Sequence, residues 1–302
     1  MGKYAIMMRW LGTAMGCACA TAAAALSPPD IANARYGPHE RHTLDVWQAK
    51  SAQPAALVVF IHGGGWHGGD KSAVPAALIE GLRARRIAVA SINYRYTSIA
   101  KLPGPLHDAA RAVQFLRAKA GEWKLDRAKF AAYGVSAGGC SALWLAYHDD
   151  RADAASNDPV ARESSRVQAA VGISAQTSLE PEVVVEWMGP KVMGHPMILR
   201  AVGAKTVADV AARDAALGGV LRACSPIRLV SPGDAPVLLV FPTMGPLPAP
   251  DAGSAIHHAQ FGVKLKAAAD AAGVACWLRI EDAAAPAGPT AVAFLVEQLA
   301  VR

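Results

Sequence analysis

Two glycine-rich turns, each preceded by a run of apolar residues, constrain this chain more than any other feature. His62-Gly63-Gly64-Gly65-Trp66 follows Ala56-Leu57-Val58-Val59-Phe60-Ile61, and Gly134-Val135-Ser136-Ala137-Gly138 follows Phe130-Ala131-Ala132-Tyr133. A short continuous apolar run bounded by glycine reads as a strand buried on both faces. The second turn has the form G-x-S-x-G, a serine on a sharp strand-to-helix turn with glycines where side chains would collide. The first offers consecutive backbone N–H groups unobstructed by side chains, the kind of donor array that stabilises an oxyanion. In this order, each behind a buried strand, the two turns point to acyl transfer at Ser136.

The remaining pattern agrees. Thr43–Trp47, Ile87–Tyr94, Val167–Ile173, Val237–Phe241 and Val274–Ile280 read as further strands, and Val74–Arg85, Leu106–Gly121, Ala137–His148 and Gly288–Val301 as helices. Such alternation predicts an α/β fold: a mostly parallel sheet with helices on both faces. Ligands of such sheets bind at the carboxyl ends of the strands, where both glycine turns lie. Residues 175–230 interrupt the alternation and carry the helical run Val207–Leu221. They are predicted to form a helical cap that covers Ser136 and shapes the pocket. The expected organisation is a signal peptide over 1–25, a linker over 26–35, and one domain over 36–302 with the cap inserted.

Composition narrows the classes. The 302 residues suffice for one large α/β domain. The formal charge is +6, but the basic residues are scattered without a like-charge block, which argues for a solvated surface and against a nucleic-acid partner. Lys3 and Arg9 precede the alanine-rich apolar stretch Trp10–Ala25, which ends in small residues, the pattern of a cleaved export signal. That stretch is shorter than the roughly 20 residues a membrane span needs, so the expectation is an exported mature chain, periplasmic or secreted, with no stable membrane span. Lipoprotein processing at Cys17 and an uncleaved anchor are the alternatives. Of five cysteines, Cys17 and Cys19 fall in the leader, leaving Cys140, Cys224 and Cys276, an odd set that allows one disulfide at most. Cys140 and Cys276 sit in apolar surroundings and read as buried hydrophobes. No metal-ligand spacing occurs, and neither a metal nor another cofactor is expected.

His62-Gly63-Gly64-Gly65-Trp66, Ser91-Ile92-Asn93-Tyr94-Arg95 and Tyr133-Gly134-Val135-Ser136-Ala137-Gly138-Gly139, with Leu44-Asp45-Val46-Trp47 before them and Ala235–Val240 after, resemble secreted α/β-hydrolase esterases. The nearest groups are the hormone-sensitive-lipase-like and the acetylxylan or feruloyl esterase-like enzymes. The resemblance implies the α/β-hydrolase fold and a serine esterase acting on small acyl esters, including esters of carbohydrate. It also implies an oxyanion hole built from the N–H groups of Gly64, Gly65 and Ala137.

The acid and the base are less regular. The resemblance places an aspartate after the strand Val237–Phe241, and Asp251 is the first carboxylate to follow, several residues late. Its alternative role is to cap the next helix. The base should be a histidine after the last strand, but Arg279-Ile280-Glu281-Asp282-Ala283-Ala284-Ala285-Pro286 contains none, and no histidine follows His258. His148 ends the helix behind the serine, too far from its hydroxyl, and His195 is a candidate pocket residue. His257 and His258 begin the helix after the acid loop, on the active-site edge of a parallel sheet, and are the candidate bases. Trp66 and Trp187 are the candidate substrate-binding aromatics, with packing under the glycine loop as the alternative for Trp66. A second function class stays open: a catalytically impaired hydrolase fold that binds an ester or sugar ligand.

Overall fold

A computed structural model of the chain describes residues 27–300. The expected export signal lies outside the described residues. Eight strands form one sheet: β1 (Ile31–Arg35), β2 (Thr43–Trp47), β3 (Ala55–Ile61), β4 (Ala88–Ile92), β5 (Leu125–Val135), β6 (Ala170–Ile173), β7 (Val237–Phe241) and β8 (Cys276–Ile280), in the spatial order 1-2-4-3-5-6-7-8. β1 and β2 join antiparallel, and β4, β3, β5, β6, β7 and β8 run parallel.

The helices are α1 (Ala76–Arg83), α2 (Gly104–Ala118), α3 (Ala137–Tyr147), α4 (Pro181–Met188), α5 (Pro196–Val202), α6 (Val210–Ala216), α7 (Val220–Ala223), α8 (Ala252–Ile256), α9 (Gln260–Ala271) and α10 (Ala291–Gln298). All seven residues of β3 are buried, as its uninterrupted apolar sequence requires when helices cover both sheet faces. Leu57, Val59 and Ile61 point into a core shared with α2 and α3, while Val58 and Phe60 point to the opposite layer with α1 and α10. That split is the two-residue period of a strand.

The structure corrects two sequence readings of local form. Residues 31–35, expected within a linker, pair with β2 as an edge strand; the Asn33 N–H donates to Asp45 Oδ1 at 2.7 Å. The run Val207–Leu221 is not one helix. It breaks at Gly218 and Gly219, both at positive φ (73° and 72°), into a short turn, α6 and α7. Cys140, Cys224 and Cys276 are all buried free thiols. No described helix is long and apolar enough to cross a membrane.

The register decides where chemistry can occur. Ile61, the last residue of β3, lies beside Gly134 of β5. The two glycine turns therefore leave the sheet from adjacent strands at the same edge.

Candidate active site

Ser136 connects β5 to α3 with φ 54° and ψ −121°, a conformation that costs a non-glycine residue of order 1–3 kcal/mol and persists only where packing enforces it. Here the enforcement is backbone against backbone. A Cβ at Gly134 would lie 2.0 Å from the Gly138 carbonyl oxygen, and one at Gly138 would lie 2.1 Å from that of Ile61. The strand entering the turn, the helix leaving it and the end of β3 thus touch at positions that admit only glycine. The Ser136 N–H donates to Ile173 O at 2.8 Å, and its carbonyl accepts the first hydrogen bond of α3, from the Cys140 N–H at 2.9 Å.

The His62–Trp66 loop sits directly on this turn. A Cβ on Gly63 would be 3.0 Å from Val135 O and 3.5 Å from Ser136 Cβ. Gly64 and Gly65 adopt φ 98° and 61°, and neither N–H meets an acceptor among the described residues. The Gly64 carbonyl is turned away, accepting the N–H groups of His67 and Gly68 at 2.9 and 3.1 Å. Ala137 is the first residue of α3, so its N–H is one of the four that no carbonyl of the helix can reach.

Buried side chains hold the loop from below. Tyr94 donates its hydroxyl hydrogen to His62 O at 2.9 Å, with Gly63 O 3.1 Å away. The His62 ring stacks on Tyr94, with 4.3 Å between centroids, and its Nδ1–H donates to Gly63 O at 2.8 Å. Arg41 Nη2 stands 3.4 Å from the remaining His62 nitrogen. Burial drives the His62 pKa down to about 4, and the Arg41 cation adds to the effect against the opposing Gly63 hydrogen bond. His62 therefore orders the loop as a neutral ring. The motif Asn93-Tyr94-Arg95 supplies the rest of the frame: Asn93 accepts from the Lys71 N–H at 2.7 Å and from Arg41 at 3.1 Å, and Arg95 pairs with Asp108 at 2.7 Å.

Trp66 does not line the pocket. It is fully buried and its Nε1–H donates to Ser141 Oγ at 3.0 Å, pinning the loop to α3. Nor does Trp187, which is half-buried against α9, edge-on to Phe261 at 6.1 Å. Neither borders the cavity beside Ser136. Trp66 takes its alternative place under the loop, and neither ring faces the cavity: an aromatic near a motif fills the frame around it as readily as it faces the ligand.

His257 is the histidine that meets the serine. Its Nε2 lies 2.9 Å from Ser136 Oγ, and its Nδ1 lies 3.1 Å from the Gly253 carbonyl oxygen. A carbonyl can only accept, so Nδ1 carries the proton and the Nε2 lone pair faces the serine hydroxyl. His257 ends α8, one turn beyond Gly253. His258, its neighbour, points away. It is buried, and its Nδ1 accepts the Gln260 N–H at 2.9 Å.

Asp251 does not orient His257. It is the N-cap of α8, accepting the Ser254 N–H at 2.8 Å and the Ser254 hydroxyl at 2.7 Å. These hydrogen bonds, the backbone one foremost, hold its carboxyl below the usual aspartate range. The place expected for a carboxylate is thus taken by a main-chain carbonyl, for which side-chain types carry no signal.

Glycines 63–65, His67 and Val135 form one wall of a cavity of about 330 Å³ over Ser136; His195, Pro196, Met197 and Arg200 form the other. The second wall belongs to α5 and its N-cap His195, which lie within the insertion. Tethers hold it there: the Leu102 N–H donates to Ala201 O at 3.0 Å, the Ala249 N–H to Met188 O at 2.9 Å, and Lys191 Nζ to Pro250 O at 2.9 Å. Arg200 and Met197 have no motif to announce them and were missed in the sequence. Among the described residues no group of three or more His, Cys, Asp or Glu side chains is arranged to hold a metal ion.

A parallel-dominated sheet with a strained serine turn at its carboxyl edge and a helical insertion over it defines the α/β-hydrolase fold. Solved structures of this fold superpose on the chain. One, a truncated carbohydrate esterase from gut microbiota, gives a TM-score of 0.68 at 20% identity, covering 89% of this chain and 95% of that one. An acetyl ester-xyloside bifunctional hydrolase from Caldicellulosiruptor lactoaceticus gives 0.62 at 22% identity, covering 84% and 81%.

The chain belongs to the BD-FAE family, whose model matches residues 44–247. Esterase LipC of Mycobacterium tuberculosis is 32% identical over 106 residues, 34% of this chain and 26% of that protein. An arylesterase of Saccharolobus solfataricus is 34% identical over 83 residues, 28% of this chain and 27% of its own. The matched stretches therefore span only about a quarter of these relatives' lengths.

Proposed function

We propose that this protein is a serine ester hydrolase for small acyl esters, carbohydrate esters included, working through an acyl-enzyme at Ser136 with His257 as its base. The single observation that carries the proposal is the 2.9 Å approach of His257 Nε2 to Ser136 Oγ, in the tautomer set by the Gly253 carbonyl. A nucleophile and base at this separation form the working pair of covalent acyl transfer. Family membership and the esterase relatives support the same reading.

In the proposed reaction Ser136 Oγ attacks the ester carbonyl carbon while its proton passes to His257 Nε2. The carbonyl π bond opens, and its oxygen takes the negative charge among the N–H groups of Gly64, Gly65 and Ala137. Collapse of the intermediate breaks the bond to the alcohol oxygen, which receives the proton from His257. Water then repeats the sequence on the acyl-serine, with His257 first taking and then returning a proton, and releases the carboxylic acid. The Gly253 carbonyl fixes the imidazole as a carboxylate would, but with a partial charge it stabilises the imidazolium less. The reading therefore includes a slower enzyme than one with a full Ser-His-Asp set. Export, proposed from the Lys3–Ala25 leader pattern, would put this activity outside the cytoplasm.

The test is hydrolysis of 4-nitrophenyl acetate by the wild type and by Ser136→Ala. Turnover that falls on the order of 10⁴-fold or more in the variant is expected. A wild type without turnover, on this ester and on acetylated xylan fragments, would leave the alternative, a hydrolase fold that only binds its ligand.

A further inference from the structure

The cavity over Ser136 has an unusual charge inventory. Its lining holds one full cation, Arg200, and three imidazoles, His67, His195 and His257, and it contains no carboxylate. Arg200 takes part in no ion pair and no side-chain hydrogen bond among the described residues. It stands one helical turn beyond Pro196 and Met197, so the three share the face of α5 turned to the cavity.

His195 adds a directed donor. Its Nδ1 accepts the Met197 N–H at 3.4 Å, which leaves the proton on Nε2. Burial, then the neighbouring His257 and Arg200, hold its pKa below the ordinary histidine value, which favours the neutral ring. The rings of His195 and His257 meet edge to face, 6.1 Å between centroids. An exposed guanidinium without a carboxylate partner, a free imidazole N–H and no anion of the protein's own together make a receptor for an anion brought by the ligand. The guanidinium fork matches a carboxylate in particular.

We propose that Arg200 and His195 form a carboxylate subsite, so that the ester preferred at Ser136 carries a negative charge. This rests on the hydrolase reading above. Two sources present the same chemistry: an acyl group with a second carboxylate, as in the half-ester of a dicarboxylic acid, or an alcohol with one, as in a uronic acid sugar. In either case the anion enters beside His257. It supplies the counter-charge that Gly253 O cannot give to the imidazolium, so the gain falls on kcat as well as on KM.

The experiment compares charged with neutral partners. On the acyl side, 4-nitrophenyl hemiglutarate is set against its methyl ester. On the alcohol side, acetylated methyl glucuronoside is set against acetylated methyl glucoside. For wild type, kcat/KM for the anionic member of one pair should exceed that of the neutral member by roughly 10- to 100-fold, the worth of a charge-assisted hydrogen bond. The pair that responds identifies the source. In Arg200→Gln the ratio should fall to about one, and in Arg200→Lys part of it should return.

A wild-type ratio near one in both pairs overturns the subsite, and a ratio that survives Arg200→Gln removes it from Arg200. Calorimetric titration with monomethyl glutarate reads the subsite without turnover. Binding lost in Arg200→Gln, in a protein that hydrolyses nothing, would keep the subsite and refute the hydrolase reading. Hydrolysis of neutral esters without such binding would do the reverse.

Discussion

The two halves of the site are built on different principles. On the nucleophile side, Gly134, Gly138, Gly63 and Gly64 fix the geometry by backbone contact, with virtual Cβ positions 2.0 to 3.0 Å from carbonyl oxygens. On the base side, a five-residue helix carries His257 at its end, and a main-chain carbonyl orients the ring. The first half tolerates almost no change of residue type. The second needs only one imidazole in the right place, whatever segment delivers it. The edge of a parallel sheet offers several loop ends that converge, so a histidine can reach the serine from a different loop, while the serine turn itself cannot move.

The sharpest test of this contrast is His257→Ala against His258→Ala. The first should lower kcat for 4-nitrophenyl acetate on the order of 10⁴-fold, close to the loss from Ser136→Ala, because nucleophile and base act as a unit. The second should change kcat little, since His258 faces Gln260 and the underside of Gly245. Equal losses in both, or none in His257→Ala, would break the assignment of the base.

Next in size is Gly64→Ala. The backbone there has φ 98°, and the new Cβ would start 2.4 Å from Gly68 O. Displacing one oxyanion donor is expected to cost about 10²–10³-fold in kcat, measurable with unchanged circular dichroism. A variant of full activity would take Gly64 out of the oxyanion hole.

Acid should weaken the nucleophile side. His62 is held neutral down to about pH 4, while the unfolded chain takes up that proton near 6.5. Between those values the unfolded state binds more protons, so stability falls as pH drops from 6.5 to 4 and levels off below. The contribution is on the order of 3 kcal/mol. Urea denaturation across this range should show the loss in wild type and a smaller one in His62→Gln, which cannot titrate.

The smallest effect is predicted for Asp251→Asn. An orienting carboxylate would cost kcat about 10⁴-fold when neutralised. A helix cap that keeps its acceptor oxygen should leave kcat/KM within about threefold. A large loss would return Asp251 to the site and undo the role given to Gly253.

Much of this molecule was legible in its residues. The strand behind each turn, and the meeting of Ser136 with glycines 63–65 at one sheet edge, follow from apolar runs and glycine positions. These are local constraints, since a chain with Gly134 and Gly138 around a serine has few ways to turn. The sequence also offered His257 and His258 as candidate bases, because they begin the helix after the acid loop on the active-site edge. It misread Trp187 and left two places open for Trp66, because aromatic type does not say which way a ring faces. It also misread the edge strand at residues 31–35, whose pairing partner lies beyond a loop.

Tertiary structure alone decided the rest. Whether a histidine reaches Ser136 depends on where α8 ends in space. The choice of a carbonyl over Asp251 depends on a hydrogen-bond direction, and backbone carbonyls are present at every residue and so mark none. The meeting of Arg200, His195 and His257 over the serine joins α5 and α8, distant in sequence, in one wall. Glycine geometry is written in residue identity, whereas convergence of side chains from separate loops depends on how the whole chain packs.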